Sequence, residues 1–423
     1  MKEIFLHHIW KYKLFSTQNL KSYHGDYLEV VDVGDLNYNA GPDFLEAEIV
    51  IGDKLWAGSV EIHVNSSDWN LHQHTNNLAY QNVILHVVWN HDCEIDELRQ
   101  RNVQTLILQD LVKPEIVYNY QNIINTKFDK IYCAELLNDT DLSQFSFWFE
   151  RLLIERFEEK TTLILDILKK NSNNWEETLF KSLAKNFGQK VNVEAFEMWS
   201  NSFSFSVLQK TQFDPIKVEA LFFGQAGFLE ENYDDDYYKE LKSAYHFLKI
   251  KYQLHPLSPS LFKFSKMRPI GFPTIRLAQL AAIYSHFQHL FSEITQQNNL
   301  KSYHKLFENI KLNSFWETHY TFKNESKFLE KNLTKDKINN ILINTIIPIR
   351  YAFERTKSEV EIDFYLDLLN EISAERNSIL DEFEQIGFKN KTAKDSQVLI
   401  HLKKRYCSEK KCLNCAIGHH ILR

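Results

Sequence analysis

Hydrophobic and polar positions along the chain follow two different periods. Residues 1–20 carry apolar side chains at intervals of three and four, which predicts a helix. Short runs rich in β-branched and aromatic residues then predict strands at 26–33, 44–51, 54–64, 83–89 and 103–109. With a short helix before the fourth strand, this order predicts a small α/β domain over residues 1–130.

The pattern also predicts how two of these strands pair. Residues 44–51 alternate between polar and apolar, so Leu45 is predicted to share one face with Ala47 and Ile49. Gly52-Asp53 is typical of a two-residue hairpin connection. The second and third strands are therefore expected to be antiparallel neighbours.

The fourth strand is expected to join the sheet differently. Ser66-Ser67-Asp68 can cap a short helix that runs to about Tyr80. A strand that follows a helix can insert parallel to its neighbour. The run at 83–89 is continuously apolar, which favours burial on both faces of the sheet.

Helical periodicity replaces the strand pattern from about residue 141. We expect a helical domain over 141–400, followed by a cysteine-rich segment over 401–423. Hydrophobic residues make up 44% of the chain, which is enough to bury a core in each of two or three domains. No internal repeat of fixed period is evident.

Charge and cysteine usage narrow the class of protein. A net charge of −7 does not fit a protein that coats nucleic acid non-specifically. The N-terminus lacks the pattern of a signal peptide, and no run of about 18 apolar residues predicts a membrane span. We therefore expect a cytoplasmic protein without a membrane partner; its oligomeric state stays open. Five cysteines, three of them clustered, indicate metal or redox chemistry rather than disulfides.

Two carboxylates and an imidazole form the first candidate site. Asp43 lies at the turn into the second strand, while Glu61 and His63 lie near the end of the third. Residues i and i+2 of a strand share a face, so the hairpin can bring all three together. Two converging carboxylates suit Mg²⁺ or Mn²⁺, and His63 can assist by orienting a water.

This spacing resembles the PD-(D/E)XK nuclease superfamily. Pro42-Asp43 matches the first half of its motif, and Glu61-Ile62-His63 matches the second with histidine in place of lysine. The resemblance implies a restriction-endonuclease-like core of helix, three strands, helix and strand, with DNA or RNA as substrate. His63 is the departure. A neutral imidazole can ligate metal or move a proton, but it also leaves open that catalysis has been lost.

A second resemblance covers most of the chain. GPDF, GSVEIHVNSSDW, HQH, AYQNVILHVVWNHD and the terminal YCSEKKCLNCAIG are similar to the signature of a bacterial family of unknown function. That resemblance implies no activity.

Histidines near the first site open another possibility. His72, His74 and His86 follow His63 within a short stretch. Three imidazoles and a carboxylate can bind Zn²⁺, although the spacing matches no HExxH motif.

The C-terminal cysteines form a second candidate metal site. Cys407, Cys412 and Cys415 lie within nine residues, and either Cys133 or His419 can complete four ligands. Neighbouring lysines and arginines are expected to lower the thiol pKa values and ease ligation. Some members of the nuclease superfamily hold an iron–sulfur cluster with one distant and three C-terminal cysteines, so the resemblance adds that cluster to Zn²⁺ as a candidate.

These observations lead to three hypotheses. The first is a metal-dependent nuclease, or a nuclease-like protein that binds nucleic acid. The second is a non-catalytic interaction or scaffold protein that retains the fold. The third is a Zn²⁺-dependent hydrolase that uses the N-terminal histidines.

Overall fold

The chain forms two compact units. A computed structural model describes residues 1–125, 131–137, 140–357 and 360–423. The first unit contains residues 1–148, 385–388 and 402–423, and the second contains residues 149–384 and 389–401. The expected domain end near residue 130 lies outside the described residues. The cysteine-rich C-terminal segment belongs to the same unit as the N-terminal strands.

The first unit is built from strands with short flanking helices. Its elements before residue 126 are α1 (Glu3–Lys11), β1 (Leu28–Asp32), β2 (Asp35–Leu36), β3 (Phe44–Ile51), β4 (Lys54–Asn65), α2 (Asp68–Leu71), β5 (Val83–Asn90), α3 (Asp96–Gln100), β6 (Gln104–Ile107) and α4 (Pro114–Asn125). The predicted change from an N-terminal α/β part to a helical part is confirmed.

The strands form one mixed sheet in the order β1-β3-β4-β5-β6, with β2 beside β3. β3 is antiparallel to both β1 and β4, and the two-residue loop at Gly52-Asp53 joins β3 to β4 as predicted. β5 is parallel to β4 and to β6, and six successive residues of β5 are buried. The parallel insertion and two-sided burial of the fourth predicted strand are therefore confirmed.

Helix α1 packs on the sheet and supports the candidate site. Phe5 and Ile9 are fully buried in one hydrophobic core with Val60 and Ile62 of β4. Burying each such side chain contributes roughly 1.5–3 kcal/mol. Glu3 and His7 lie on one side of α1, and this packing holds that side close to the end of β4.

Two local predictions were wrong. Leu45 is exposed rather than buried, because the β3–β4 register shifts between Phe44 and Ala47 and Glu46 takes a φ of 58°. A bulge of this kind inverts the alternation for one residue. The helix expected to reach Tyr80 ends at Leu71, and Gln73 follows in the left-handed region with a φ of 60°.

The second unit is helical. The remaining helices of the chain are α5 (Ser146–Lys170), α6 (Trp175–Phe187), α7 (Val193–Asn201), α8 (Phe205–Thr211), α9 (Pro215–Gln225), α10 (Asp236–Tyr252), α11 (Pro273–His286), α12 (Leu290–Thr295), α13 (Leu300–Glu308), α14 (Phe315–Thr318), α15 (Lys335–Ile341), α16 (Ile347–Arg355), α17 (Ile362–Glu371), α18 (Ser378–Gln385), α19 (Ala393–Leu402) and, in the first unit, α20 (Ala416–Ile421). None of the described helices combines the length and apolar character needed to cross a membrane.

A buried carboxyl in α9 makes the second unit sensitive to pH. Burial raises the pKa of Glu219 to about 7, although the Tyr237 hydroxyl donates a hydrogen bond to it. The unfolded chain loses this proton near its ordinary pKa of 4.5, so the free energy of unfolding falls as pH rises from there through about 7. We expect Glu219→Gln to gain about 3 kcal/mol over wild type between pH 4 and pH 8. Urea unfolding at both pH values measures the difference, and an unchanged difference contradicts the assignment.

Candidate metal centre

The two predicted carboxylates lie side by side. Phe44 of β3 pairs with Val60 of β4, which places Asp43 next to Glu61. The Asp43 backbone N–H donates to Glu61 Oε2 at 3.1 Å, and the Ile62 N–H donates to Asp43 Oδ2 at 2.9 Å. The expected hairpin therefore brings Asp43 and Glu61 together through reciprocal hydrogen bonds.

Three imidazoles converge beside the Glu61 carboxylate, and two of them contact it. Glu61 Oε1 lies 3.0 Å from His74 Nε2 and 3.5 Å from His63 Nε2. One ring nitrogen from each of His63, His72 and His74 lies within 4.8 Å of the others. The early end of α2 and the left-handed Gln73 bring His72 and His74 to this point.

Several of these nitrogens are buried without a hydrogen-bond partner. They include His63 Nε2 and both ring nitrogens of His74, so the short contacts to Glu61 lack hydrogen-bond geometry. Buried polar atoms are normally satisfied, and exceptions call for an explanation such as a bound ion. Nitrogen and carboxylate donors that converge on one point are suited to a metal.

Helix α1 adds two residues that the sequence interpretation missed. His7 Nε2 lies 3.3 Å from Asp43 Oδ2 and 3.8 Å from Glu3 Oε1, and one ligand atom from each of these three residues lies within 4.8 Å of the others. Glu3 and His7 are one turn apart, so they share a face of the helix. That spacing was the available signal, but it does not reveal which strand end the face meets.

Burial controls the electrostatics of the site. It raises the pKa of Glu61 well above that of an ordinary carboxyl, and the neighbouring Asp43 raises it further. Burial also lowers the pKa of His63 to about 2 and shifts that of His74 downward. The shifts at His63 and His74 favour the neutral imidazole, which is the form that binds a metal, and a bound cation would favour the ionised form of Glu61.

His86 contacts the site through His63. Its Nε2 lies 2.9 Å from His63 Nδ1, it is fully buried, and its pKa is lowered to about 3, chiefly by burial. It is not part of the group of three converging imidazoles. His86 is thus placed to fix the His63 ring, as residues behind a metal-binding histidine commonly do.

Exposure identifies the open side of the site. Glu61 is 4% exposed and His63 is fully buried, whereas His72 is exposed and Asp43 is partly exposed. A substrate can therefore approach from the side of His72 and Asp43, with Glu61 and His63 at the floor.

The predicted cysteines also lie close together, around a cavity that none of these histidines lines. Cys133, Cys407, Cys412 and Cys415 line one small cavity. His419, the other candidate fourth ligand, does not line it; its Nδ1 lies 3.4 Å from His8 Nε2 and its ring lies against Tyr12.

Comparison with known proteins gives a family but no activity. No curated protein and no solved structure matches the chain. The model of a family described as "Protein of unknown function (DUF2851)" matches residues 3–378, which is most of the chain. The expected relationship to a family of unknown function is confirmed at this level. The chain belongs to the family Protein of unknown function (DUF2851).

Proposed function

We propose that the chain is a metal-dependent nuclease whose active site is built from Glu61, His63, His72 and His74, with Asp43 beside them. The observation that carries this proposal is the convergence of three imidazoles, two of which contact the buried Glu61 carboxylate through ring nitrogens that have no hydrogen-bond partner. A site with donor atoms of this kind at a solvent-facing edge is suited to metal-assisted hydrolysis.

The order of elements supports a phosphodiester substrate. Helix α1, strands β1, β3 and β4, helix α2 and strand β5 follow the order of the PD-(D/E)XK core, if the two-residue β2 is set aside. Asp43, directly before β3, and Glu61, within β4, are the residues that resemble the two halves of its motif. We infer DNA or RNA as the substrate from this resemblance in element order and motif.

The donor set favours Zn²⁺ over the Mg²⁺ expected for two carboxylates. Mg²⁺ prefers an octahedral set of oxygen ligands, whereas imidazole nitrogens suit Zn²⁺ and other transition metals. His63, His72 and His74 therefore favour Zn²⁺, while the carboxylates Glu61 and Asp43 keep Mn²⁺ a candidate at this centre. A bound cation of this kind supplies a nucleophile at neutral pH by lowering the pKa of water.

The remaining residues are placed to assist hydrolysis. His7 and Asp43 lie on the more open side and can accept the proton that the attacking water releases. The phosphorus–oxygen bond to the leaving group then breaks as the new bond from the water oxygen forms. Glu61 and His63, held by Asp43 and His86, keep the floor of the site rigid.

A Zn²⁺-dependent hydrolase of another ester is the second candidate. The same three imidazoles favour it, because such a set is common to zinc sites that act on many substrates. It differs from the nuclease in substrate alone, so an activated small phosphodiester and a carboxylic ester distinguish the two.

The test is a cleavage assay on the purified full-length protein. End-labelled single-stranded and double-stranded DNA and RNA are incubated with Mn²⁺, Zn²⁺ or Mg²⁺, with EDTA as the control. We expect cleavage that is faster with Mn²⁺ or Zn²⁺ than with Mg²⁺ and that EDTA stops. Absence of cleavage with every metal and substrate would refute the nuclease; if the activated small phosphodiester and the carboxylic ester are not hydrolysed either, the scaffold protein is favoured.

A further inference from the structure

Four cysteines from two distant parts of the first unit surround one small space. Cys133 follows α4, while Cys407, Cys412 and Cys415 come from the last residues of the chain. They line a cavity of about 20 Å³, which is room for about one water molecule. The fifth cysteine, Cys93, packs instead beside a separate cluster that contains Trp69.

The local backbone directs the three C-terminal thiols to this space. A π-helical turn over Lys403–Cys407 ends at Cys407, and a 3₁₀ turn begins at Cys412. The backbone N–H groups of Ile417 and Gly418 donate to the Cys415 sulfur. Backbone donors of this kind stabilise a thiolate more than a neutral thiol.

The C-terminal segment is firmly packed where it carries these thiols. Leu422 is fully buried in the core of the first unit, with Leu413 packed against it. The Asn119 side chain donates to the Ile421 carbonyl at 3.2 Å, and Lys410 donates to the Ile124 carbonyl at 3.0 Å. Since both partners lie in α4, the segment is held next to the residues that lead to Cys133.

Burial raises the pKa of each of the four thiols. Burial is the main cause that raises the pKa of Cys133 and of Cys412 to about 12, and the neighbouring cysteines raise both further. Burial raises the pKa of Cys407 most, and the other three cysteines raise it further. Lys403 lowers this pKa, but its effect is the smallest of the group. Lys403 and Lys410 lower the pKa values of Cys407 and Cys412, as expected of basic neighbours, but burial and the other cysteines outweigh them, so both pKa values are raised overall.

We propose that Cys133, Cys407, Cys412 and Cys415 together bind one thiolate-ligated metal centre, either a Zn²⁺ ion or an iron–sulfur cluster. Four thiolates are a complete ligand set for both. The cation offsets the repulsion among the sulfurs, and its binding adds to the stability of the folded unit. Cys133 is the fourth ligand in place of His419, so the centre links α4 to the C-terminal segment.

The thiols have to move to bind either metal. Zn–S bonds of about 2.3 Å place tetrahedral ligands about 3.8 Å apart. Among the described residues, the groups of three ligand atoms within 4.8 Å of one another include none of these cysteines. A single Zn²⁺ would have to draw the thiols inward, whereas an iron–sulfur cluster would have to widen the cavity of about 20 Å³.

The experiment compares full-length wild type with Cys133→Ser and with the matched control Cys93→Ser. All three are purified anaerobically and assayed for iron, acid-labile sulfide, zinc and visible absorption. Proteins without iron are loaded with Co²⁺, whose thiolate charge-transfer band reports sulfur ligands and excludes the histidine site. We expect one centre per chain in wild type and in Cys93→Ser, and at least a tenfold loss of occupancy in Cys133→Ser.

Loss of either iron or zinc from Cys133→Ser, relative to wild type, supports the proposal. Two results overturn it: wild type that shows neither iron nor, after Co²⁺ loading, a thiolate band, or Cys133→Ser that keeps the full band. Since Cys133→Ser can misfold, thiol titration of native wild type gives a second measure. We expect Cys93 to react with a thiol reagent and the other four cysteines to react only as metal is released. Rapid reaction of all five without metal release contradicts the centre.

Discussion

Glu61→Gln is expected to abolish metal-dependent cleavage, with a loss of at least about 100-fold. Glutamine has the shape of glutamate, and its side-chain oxygen can still accept the Asp43 N–H. It removes the negative charge that a bound cation requires. Because burial already disfavours that charge in the metal-free protein, the thermal unfolding temperature without metal should not fall.

Glu48→Gln is the matched control for this variant. Glu48 is an exposed carboxylate on β3, where it pairs with Ala57, and within the described residues it forms no ion pair with His63, His72 or His74. We expect it to keep wild-type cleavage and metal affinity. If Glu61→Gln and wild type are equally active, Glu61 is not a metal ligand, and this conclusion does not depend on the identity of the substrate.

Gly418→Ala is expected to lower the free energy of unfolding of the first unit by about 1–3 kcal/mol. In an ordinary helix position the same change stabilises by up to about 1 kcal/mol. Here a Cβ would lie 2.1 Å from the Cys412 carbonyl oxygen and 2.8 Å from its carbon. The backbone beside the cysteine cavity would have to shift, which also disturbs the proposed ligands.

Gly271→Ala provides the control for Gly418→Ala. Its Cβ would approach nothing closer than Met267 Cε at 3.7 Å, which is ordinary contact. We expect its effect to stay within about 0.5 kcal/mol. Denaturant unfolding of metal-loaded protein measures both variants, and a stabilised Gly418→Ala protein is incompatible with the packing of α20 on the Cys412 turn.

The parts of the fold that local pattern determines were predictable. The Gly52-Asp53 hairpin follows from turn chemistry, and together with the bulge between Phe44 and Ala47 it brings Asp43 beside Glu61. The parallel placement of β5 follows from the intervening helix and the continuous apolar run. Each conclusion rests on residues close together in the chain, where period and turn type leave few alternatives.

The remaining features depend on tertiary contacts. Glu3 and His7 join the site because α1 packs on β4, and a helical period does not reveal that partner. His72 and His74 lie close to His63 because α2 ends at Leu71 and Gln73 takes a left-handed conformation. Residues other than glycine adopt that conformation infrequently, so the sequence does not predict it. The choice of Cys133 over His419 likewise follows from folding of the C-terminal segment onto α4.

The most direct test of the central claim is the position of a bound metal in crystals of the protein. Crystals loaded with Mn²⁺ or Zn²⁺ are measured by anomalous diffraction at the edge of that metal, which locates it independently of any at the cysteines. The account predicts an anomalous peak bonded to nitrogens of His63, His72 and His74 at about 2.0–2.2 Å, with a Glu61 oxygen completing the set. Fully loaded crystals with no peak among these residues would contradict it.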